Sequence, residues 1–167
     1  RPPARAAYVL EYLVEELRSL VLQALTAGQA AAVVTEMTPD DRADALEELA
    51  EESEARAEAI LDALPEAQRV ETEALLAYDP DSAGGRMTTE FVSAPETITV
   101  EAALGAVRAM ARSERREALY AVYTTDDVGR LTGVLSLREL LAAPEGARLA
   151  EVAWSDVVTV LPDAAQE

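Results

Sequence analysis

LLAYDPDSAGGRMTT, residues Leu75 to Thr89, joins two stretches of opposite character. Before it the chain is acidic and helix-forming; after it apolar residues alternate as in β-strands. Pro80 stops the preceding helix, Asp79 and Asp81 suit caps and turns, and Gly84-Gly85 admits backbone angles or close approaches denied to other residues. The stretch is a hinge between two modules. The boundaries read as a helical domain over 1–80, a hinge over 81–89, a β-containing motif over 90–150, and the start of a second such motif, truncated, over 151–167.

Charge is the strongest statement of composition. The chain has 32 acidic residues against 14 basic ones and no His or Cys. Residues 1–80 carry 18 acids and 6 Arg, residues 81–167 carry 14 and 8, so the acidity sits mainly in the helical half. Such a surface repels phosphate backbones and anionic membranes, which argues against nucleic acid as a partner. Without Cys or His there is no disulfide, thiolate nucleophile, Ser-His triad or usual zinc site, and a bound metal must be a hard ion held by oxygens. No run of 18 apolar residues, the length that begins to span a bilayer, appears, so no direct membrane insertion of this segment is expected. The chain reads as soluble, cytoplasmic and cut from something longer. Paired carboxylates could do acid-base work, but no nucleophile or pocket accompanies them, and the chain does not read as an enzyme.

In the helical half Tyr8, Leu10, Tyr12, Leu13, Leu17, Leu20 and Leu25 propose one amphipathic helix. Leu25, Met37 and Leu49 are twelve apart, with Ala31 and Ala43, then Val34 and Leu46, at matching offsets. That spacing suggests stacked one-helix units. Thr38-Pro39-Asp40-Asp41 starts a helix, with a capping hydroxyl, proline at the first position and acids where the helix dipole favours them. Ala50 to Leu64 reads as a solvated helix with Ile60, Leu61 and Leu64 turned inward, and Pro65-Glu66 starts another. Asp40 and Asp44 share a helix face, with Asp41, Glu47 and Glu48 close by. An acid-rich first turn and a solvated face account for that pattern. The alternative is half of an oxygen site for Mg2+, an ion that takes one or two carboxylates and keeps several waters.

In the second half the order is β-α-β-β-α: a strand over 91–94, a helix over 100–112, strands over 119–125 and 131–136 about a hairpin turn at 126–130, and a helix over 137–142. Asp156 to Pro162 repeats the pattern of Glu90 to Pro95, so a further strand is expected there. MTTEFVSAPETITVEAAL followed by LYAVYTTDDVGRLTGVLSLREL resembles a cystathionine-β-synthase (CBS) motif. Together with MTPDDRADALEEL and the hinge tract, it resembles the cytosolic region of the MgtE-type magnesium transporters over roughly Leu20 to Leu161.

The resemblance implies an α+β architecture: an N-terminal all-α superhelical domain, a CBS motif and the start of a second. It implies a homodimer formed through CBS motifs, joined to a transmembrane pore domain of the same full-length chain on the cytoplasmic side of the cell membrane. Its implied role is to sense intracellular Mg2+ through acidic residues at the interface of the N domain and CBS motif and so gate the pore. Carried over by position, the metal ligands are Asp40, Asp44 and the Gly85 carbonyl. CBS motifs also bind ATP and other adenine nucleotides, and Arg138 and Glu139 stand where ribose or phosphate would be met. Asp is usual at the position of Glu139, and Ala121 stands where an aromatic would stack on adenine. Ordinary exposed helix-start residues are the competing reading for Arg138 and Glu139. Tyr120 and Tyr123 read as strand residues, and Trp154 as a packing anchor at a CBS junction or dimer face. The competing functional class is a soluble adenylate-sensing or protein-interaction module with a CBS motif and no pore.

Overall fold

The computed structural model describes residues 2–112 and 120–165. It divides into two units, one made of Arg1–Thr89 with Val160–Glu167 and the other of Glu90–Thr159.

The first unit is helical: α1 (Pro2–Glu11), α2 (Glu15–Ala24), α3 (Ala27–Val34), α4 (Pro39–Leu61) and α5 (Glu66–Leu76), then a 3-10 turn at Gly84–Arg86. The expected helix from Tyr8 to Leu25 is two helices, because the chain breaks at Tyr12–Val14. The break turns α2 so that Arg18 and Ser19 are buried while Leu17 and Leu20 are exposed. Arg18 is tolerated inside because its guanidinium meets the Glu48 carboxylate of α4 (Nε to Oε2 2.7 Å). Arg56 donates to the Leu22 carbonyl at 3.0 Å and also to that of Leu25, satisfying acceptors orphaned at the end of α2.

Thr26 and Gln29 form a reciprocal capping box at the start of α3. Thr38 does not cap α4 with its side chain; its hydroxyl donates to Asp41 Oδ2 at 2.8 Å, while Pro39 takes the first helical position. α4 is kinked at Ser53, whose φ of −158° and ψ of 90° are not helical. Leu25 precedes α3 and Met37 precedes α4, whereas Leu49 lies inside α4, so the twelve-residue spacing marks two helix starts and not a third. The core of this unit holds Leu22, Val34, Met37, Leu46, Leu49, Ile60 and Leu64.

The second unit is a three-stranded sheet with helices: β1 (Val92–Pro95), α6 (Val100–Arg112), β2 (Ala121–Thr125), β3 (Leu131–Ser136), α7 (Leu137–Ala142) and α8 (Leu149–Val152). The strand order is β1-β2-β3, with β1 parallel to β2 and β2 antiparallel to β3. The β-α-β-β-α order read from the sequence is the order found, although Leu119, expected to begin the second strand, lies outside the described residues. A core of Val92, Val100, Val107, Val122, Leu135, Leu140 and Leu149 fills this unit.

The expected strand at Asp156–Pro162 does not form. Trp154 makes an isolated antiparallel bridge with Val134, and residues 155–161 have neither helix nor strand. A strand needs a ladder partner, and Val158, Val160 and Leu161 are 92 %, 69 % and 72 % exposed.

Candidate functional site

Two places gather chemistry, one in each unit. In the first unit, the opening turns of α4 present Asp40 and Asp44 four residues apart on one face. Asp40 Oδ1 is buried without a hydrogen-bond partner among the described residues. A buried carboxylate oxygen in that state is costly unless a cation or water meets it.

The carboxylates beside it are electrostatically crowded. Burial pushes the Asp44 carboxyl above its ordinary value; Arg86 and Arg18 pull it back, and Asp40 and Asp41 push it further up. Glu47, one turn on, is raised by burial and then by Asp44, Glu51 and Asp79, with Arg86 opposing. Asp44 and Glu47 therefore feel both Arg86 and acids of α4, and Glu47 also feels Asp79. The hinge residues on either side of Gly85 thus lie within electrostatic reach of the acidic face of α4.

That face is held by a buried cation of the opposite side. Arg42, 2 % exposed, donates from Nε to Thr72 Oγ1 and from Nη2 to Glu71 Oε2, each at 2.7 Å, and so clamps α4 to α5. Glu71 in turn accepts from the Thr89 hydroxyl at 2.7 Å.

Gly85 lies in the 3-10 turn, where its N–H donates to Ser82 Oγ at 3.2 Å. A Cβ there would overlap the Asp79 carbonyl oxygen and come within 2.8 Å of Pro80 Cα. Only glycine permits that approach without a shift of backbone. The donors in this region are all hard oxygens, which suits Mg2+ or Ca2+. Among the described residues no three acidic side chains converge on one metal position. Water and other donors would have to complete any shell around the Asp40 and Asp44 pair. The sequence reading had this pair and Glu47; it missed Asp79 and Arg86, whose only signal was a place in the hinge tract.

In the second unit a groove of about 390 Å3 is lined by residues that include Ala121, Val134, Ser136, Glu139, Trp154 and Asp156. Gly133 admits its far wall: a Cβ on it would lie 2.8 Å from the Trp154 carbonyl oxygen and 2.9 Å from Thr124 Oγ1. Val134 and Trp154 exchange backbone hydrogen bonds of 3.0 and 2.9 Å there. Glu139 is engaged on both oxygens. Oε2 accepts from the Ser136 N–H and hydroxyl, each at 2.8 Å, closing a capping box on α7, and Oε1 accepts from Trp154 Nε1 at 2.8 Å. The Ser136 N–H, with the Ser136 hydroxyl next, holds the Glu139 carboxyl below its ordinary value.

Glu139 thus lines the groove, whereas Arg138 is exposed and outside its lining. Ala121 lines the groove as well. Tyr120 is 87 % exposed, and Tyr123 packs edge-on against Phe91 with ring centroids 5.8 Å apart. Asp156, a second carboxylate in the lining, was not singled out from the sequence; nothing but its place after Trp154 marked it.

Residues 1–81 match the MgtE intracellular N domain and residues 83–146 match the CBS domain. The chain belongs to the MgtE family. It is 40 % identical over 166 residues to the magnesium transporter MgtE of Thermus thermophilus, a match that takes in 99 % of this chain and 36 % of that protein. It is 36 % identical over 90 residues to the magnesium transporter MgtE of Enterococcus faecalis, across 54 % of this chain and 19 % of that one.

Among solved structures, the cytosolic domain of the Mg2+ channel MgtE in complex with ATP superposes with a TM-score of 0.89 at 39 % identity, covering 98 % of this chain and 65 % of that one. The soluble part of a magnesium transporter superposes with a TM-score of 0.88 at 28 % identity, covering 98 % and 62 %. The chain spans about a third of the length of the Thermus MgtE, 36 %. Among the described residues no helix is long and apolar enough to cross a membrane.

Proposed function

We propose that this chain is the cytosolic regulatory region of a magnesium transporter or channel, in which Asp40 and Asp44, with the Gly85 carbonyl, bind the Mg2+ that reports the intracellular level. The observation that carries the reading is the crowded acidic face of α4, which Arg86 and Arg18 offset in part. Asp40 keeps a buried oxygen without a partner, and Asp44 and Glu47 are crowded by burial and like charge. Such a face is strained when empty and relieved by a divalent ion, so the ion-bound state gains RT ln(1 + [L]/Kd) over the ion-free one. Ordering the hinge beside Gly85 then makes the state of the module depend on free Mg2+. The reading places the region on the cytoplasmic side of the cell membrane, linked to a transmembrane pore domain that it gates, with two copies pairing through their CBS motifs. The module acts by binding, not by catalysis, as the transporter names of its relatives support.

A second ligand is supported by the groove of the second unit. Its size suits a nucleoside, and the related cytosolic domain was solved with ATP. Two carboxylates, Glu139 and Asp156, line it, so an adenine nucleotide would enter by its uncharged adenosine end, phosphates outward.

Calorimetry with MgCl2 at constant ionic strength tests the first ligand. Binding heat that Asp40→Asn/Asp44→Asn removes and added NaCl does not reproduce supports the sensor; identical heats from the variant and the native chain sink it. Quenching of the single Trp by ATP, lost in Ala121→Glu, which puts bulk and a third carboxylate into the groove, supports the second; no quenching in the native chain sinks it.

A further inference from the structure

The last described residues belong to the first unit, not to the second from which they emerge. Two backbone hydrogen bonds tie them to the hinge: Ala83 N–H donates to the Ala164 carbonyl at 2.8 Å and Gly84 N–H to the Pro162 carbonyl at 2.7 Å. Ser82 and Ala165 form an antiparallel bridge beside them. The segment is itself shaped by a turn, closed by Ala164 N–H donating to the Leu161 carbonyl at 3.0 Å.

The hinge fits against it without slack. A Cβ on Gly84 would lie 2.5 Å from the Tyr78 ring and 3.0 Å from the Pro162 carbonyl oxygen. On the hinge's other side Ser82 Oγ donates to the Asp79 carbonyl at 2.6 Å and accepts the Gly85 N–H at 3.2 Å. Residues 82–85 are thus bonded at Ser82, Ala83, Gly84 and Gly85, and among the described residues the Ala83 and Gly84 amides find their partners in the Ala164 and Pro162 carbonyls.

We infer that Pro162–Ala165 is a strap whose two carbonyls position the Gly84–Arg86 turn for ion binding, so that strap attachment and Mg2+ binding strengthen each other. The inference rests on the assignment of Gly85 as a ligand proposed above. Its physical basis is that a carbonyl ligand in a loop binds well only if the loop is already ordered; otherwise binding must supply the ordering entropy. By linkage, an ion that prefers the ordered turn must tighten the strap by the same factor.

The test uses the full chain, with hydrogen exchange at the Ala83 and Gly84 amides as one readout and MgCl2 calorimetry as the other. Ala164→Pro removes the N–H that closes the strap's turn and leaves every hinge residue and carboxylate in place. It should speed exchange of both amides and weaken Mg2+ binding by about tenfold, the cost of ordering roughly one residue's backbone. Ala164→Gly keeps both backbone groups and should leave exchange and affinity close to native. Gly84→Ala, which forces the strap and Tyr78 apart from the other side, should reproduce the proline variant. In the native chain Mg2+ should slow exchange at both amides, and Asp40→Asn/Asp44→Asn should abolish that slowing.

Free exchange of both amides in the native chain would overturn the strap itself. Faster exchange in Ala164→Pro with unchanged Mg2+ affinity would overturn its positioning role while leaving the ion site standing. Protected amides in a native chain that gives no Mg2+ heat would instead refute the ion assignment, and the linkage with it.

Discussion

Replacing Asp44 by Asn should make the ion-free protein more stable while weakening its response to Mg2+. Asp44 lies three or four residues from Asp40, Asp41, Glu47 and Glu48 on one helix. Each like-charge pair at such spacing costs about 0.2–0.5 kcal/mol, so removing the charge relieves about 0.8–2 kcal/mol. Attraction to Arg86 and Arg18, each stronger than the repulsion from Asp40 or Asp41, is lost at the same time and offsets that relief, so the net gain, about 1 kcal/mol, comes chiefly from no longer burying a charge. In a unit of this size about 1 kcal/mol moves the melting midpoint up by about 4–8 °C. For the native chain, Mg2+ at ten times its Kd adds about 1.4 kcal/mol, which the variant should largely lack. The assay is thermal unfolding followed by circular dichroism at 222 nm, which reports the helical unit, in EDTA and across MgCl2 at fixed ionic strength. A variant that melts below the native chain in EDTA, or gains as much from Mg2+, would refute the reasoning, because Asp44 would then have a stabilising protein partner or no part in the ion site.

Glu139 gives a pH prediction through the chain's single Trp. Its carboxyl is held below its ordinary 4.5, so its stabilising effect is present above that value and is lost only as pH falls through the depressed folded one. Trp154 emission should be flat from pH 8 to about 5 and change below it, and Glu139→Gln should remove the transition; a step near neutrality would contradict the assignment. Gly133→Ala should cost about 1–3 kcal/mol by overpacking against Trp154 and Thr124, read as a lower urea midpoint and a changed Trp spectrum; native-like values for both would show that the wall yields freely. Arg42→Met should destabilise the helical unit by about 3 kcal/mol, since it removes the buried charged donor shared by Thr72 and Glu71; a loss below about 1 kcal/mol in urea titration would show the clamp to be replaceable.

What could be read from the chain alone was what depends on neighbours in sequence. Pro39 at a helix start, the alternation of Val92 to Pro95 and Leu131 to Ser136, and the hairpin between β2 and β3 are local signals, and each was legible. What escaped depends on partners far along the chain. Nothing in Leu17-Arg18-Ser19-Leu20 announces that Arg18 turns inward, because the reason is Glu48, thirty residues on. The break at Tyr12–Val14 and the kink at Ser53 follow from tertiary packing against helix-permissive local sequence. The Asp156–Pro162 stretch has strand composition, but composition cannot supply the missing ladder. For the ion site, the Asp40 and Asp44 spacing was visible, whereas the crowding by Asp79 and the proximity of Arg86 needed the fold. For the groove, Glu139 was visible as a residue type, and its capture by Ser136 and Trp154 was not.

The discontinuity of the first unit bears on how the protein is made. Residues 1–89 leave the ribosome early, yet the segment that completes their unit follows 70 residues of the second, Glu90–Thr159. At about 5–20 residues per second, those 70 residues take roughly 4–14 s to translate. Over that interval the helices can pack while the amides of Ala83 and Gly84 have no partner, and the second unit, continuous in sequence, can fold before the first is finished. Of these two units the hinge is therefore the last part to acquire its native backbone pairing, and it does so only by closing a loop that holds all of Glu90–Thr159.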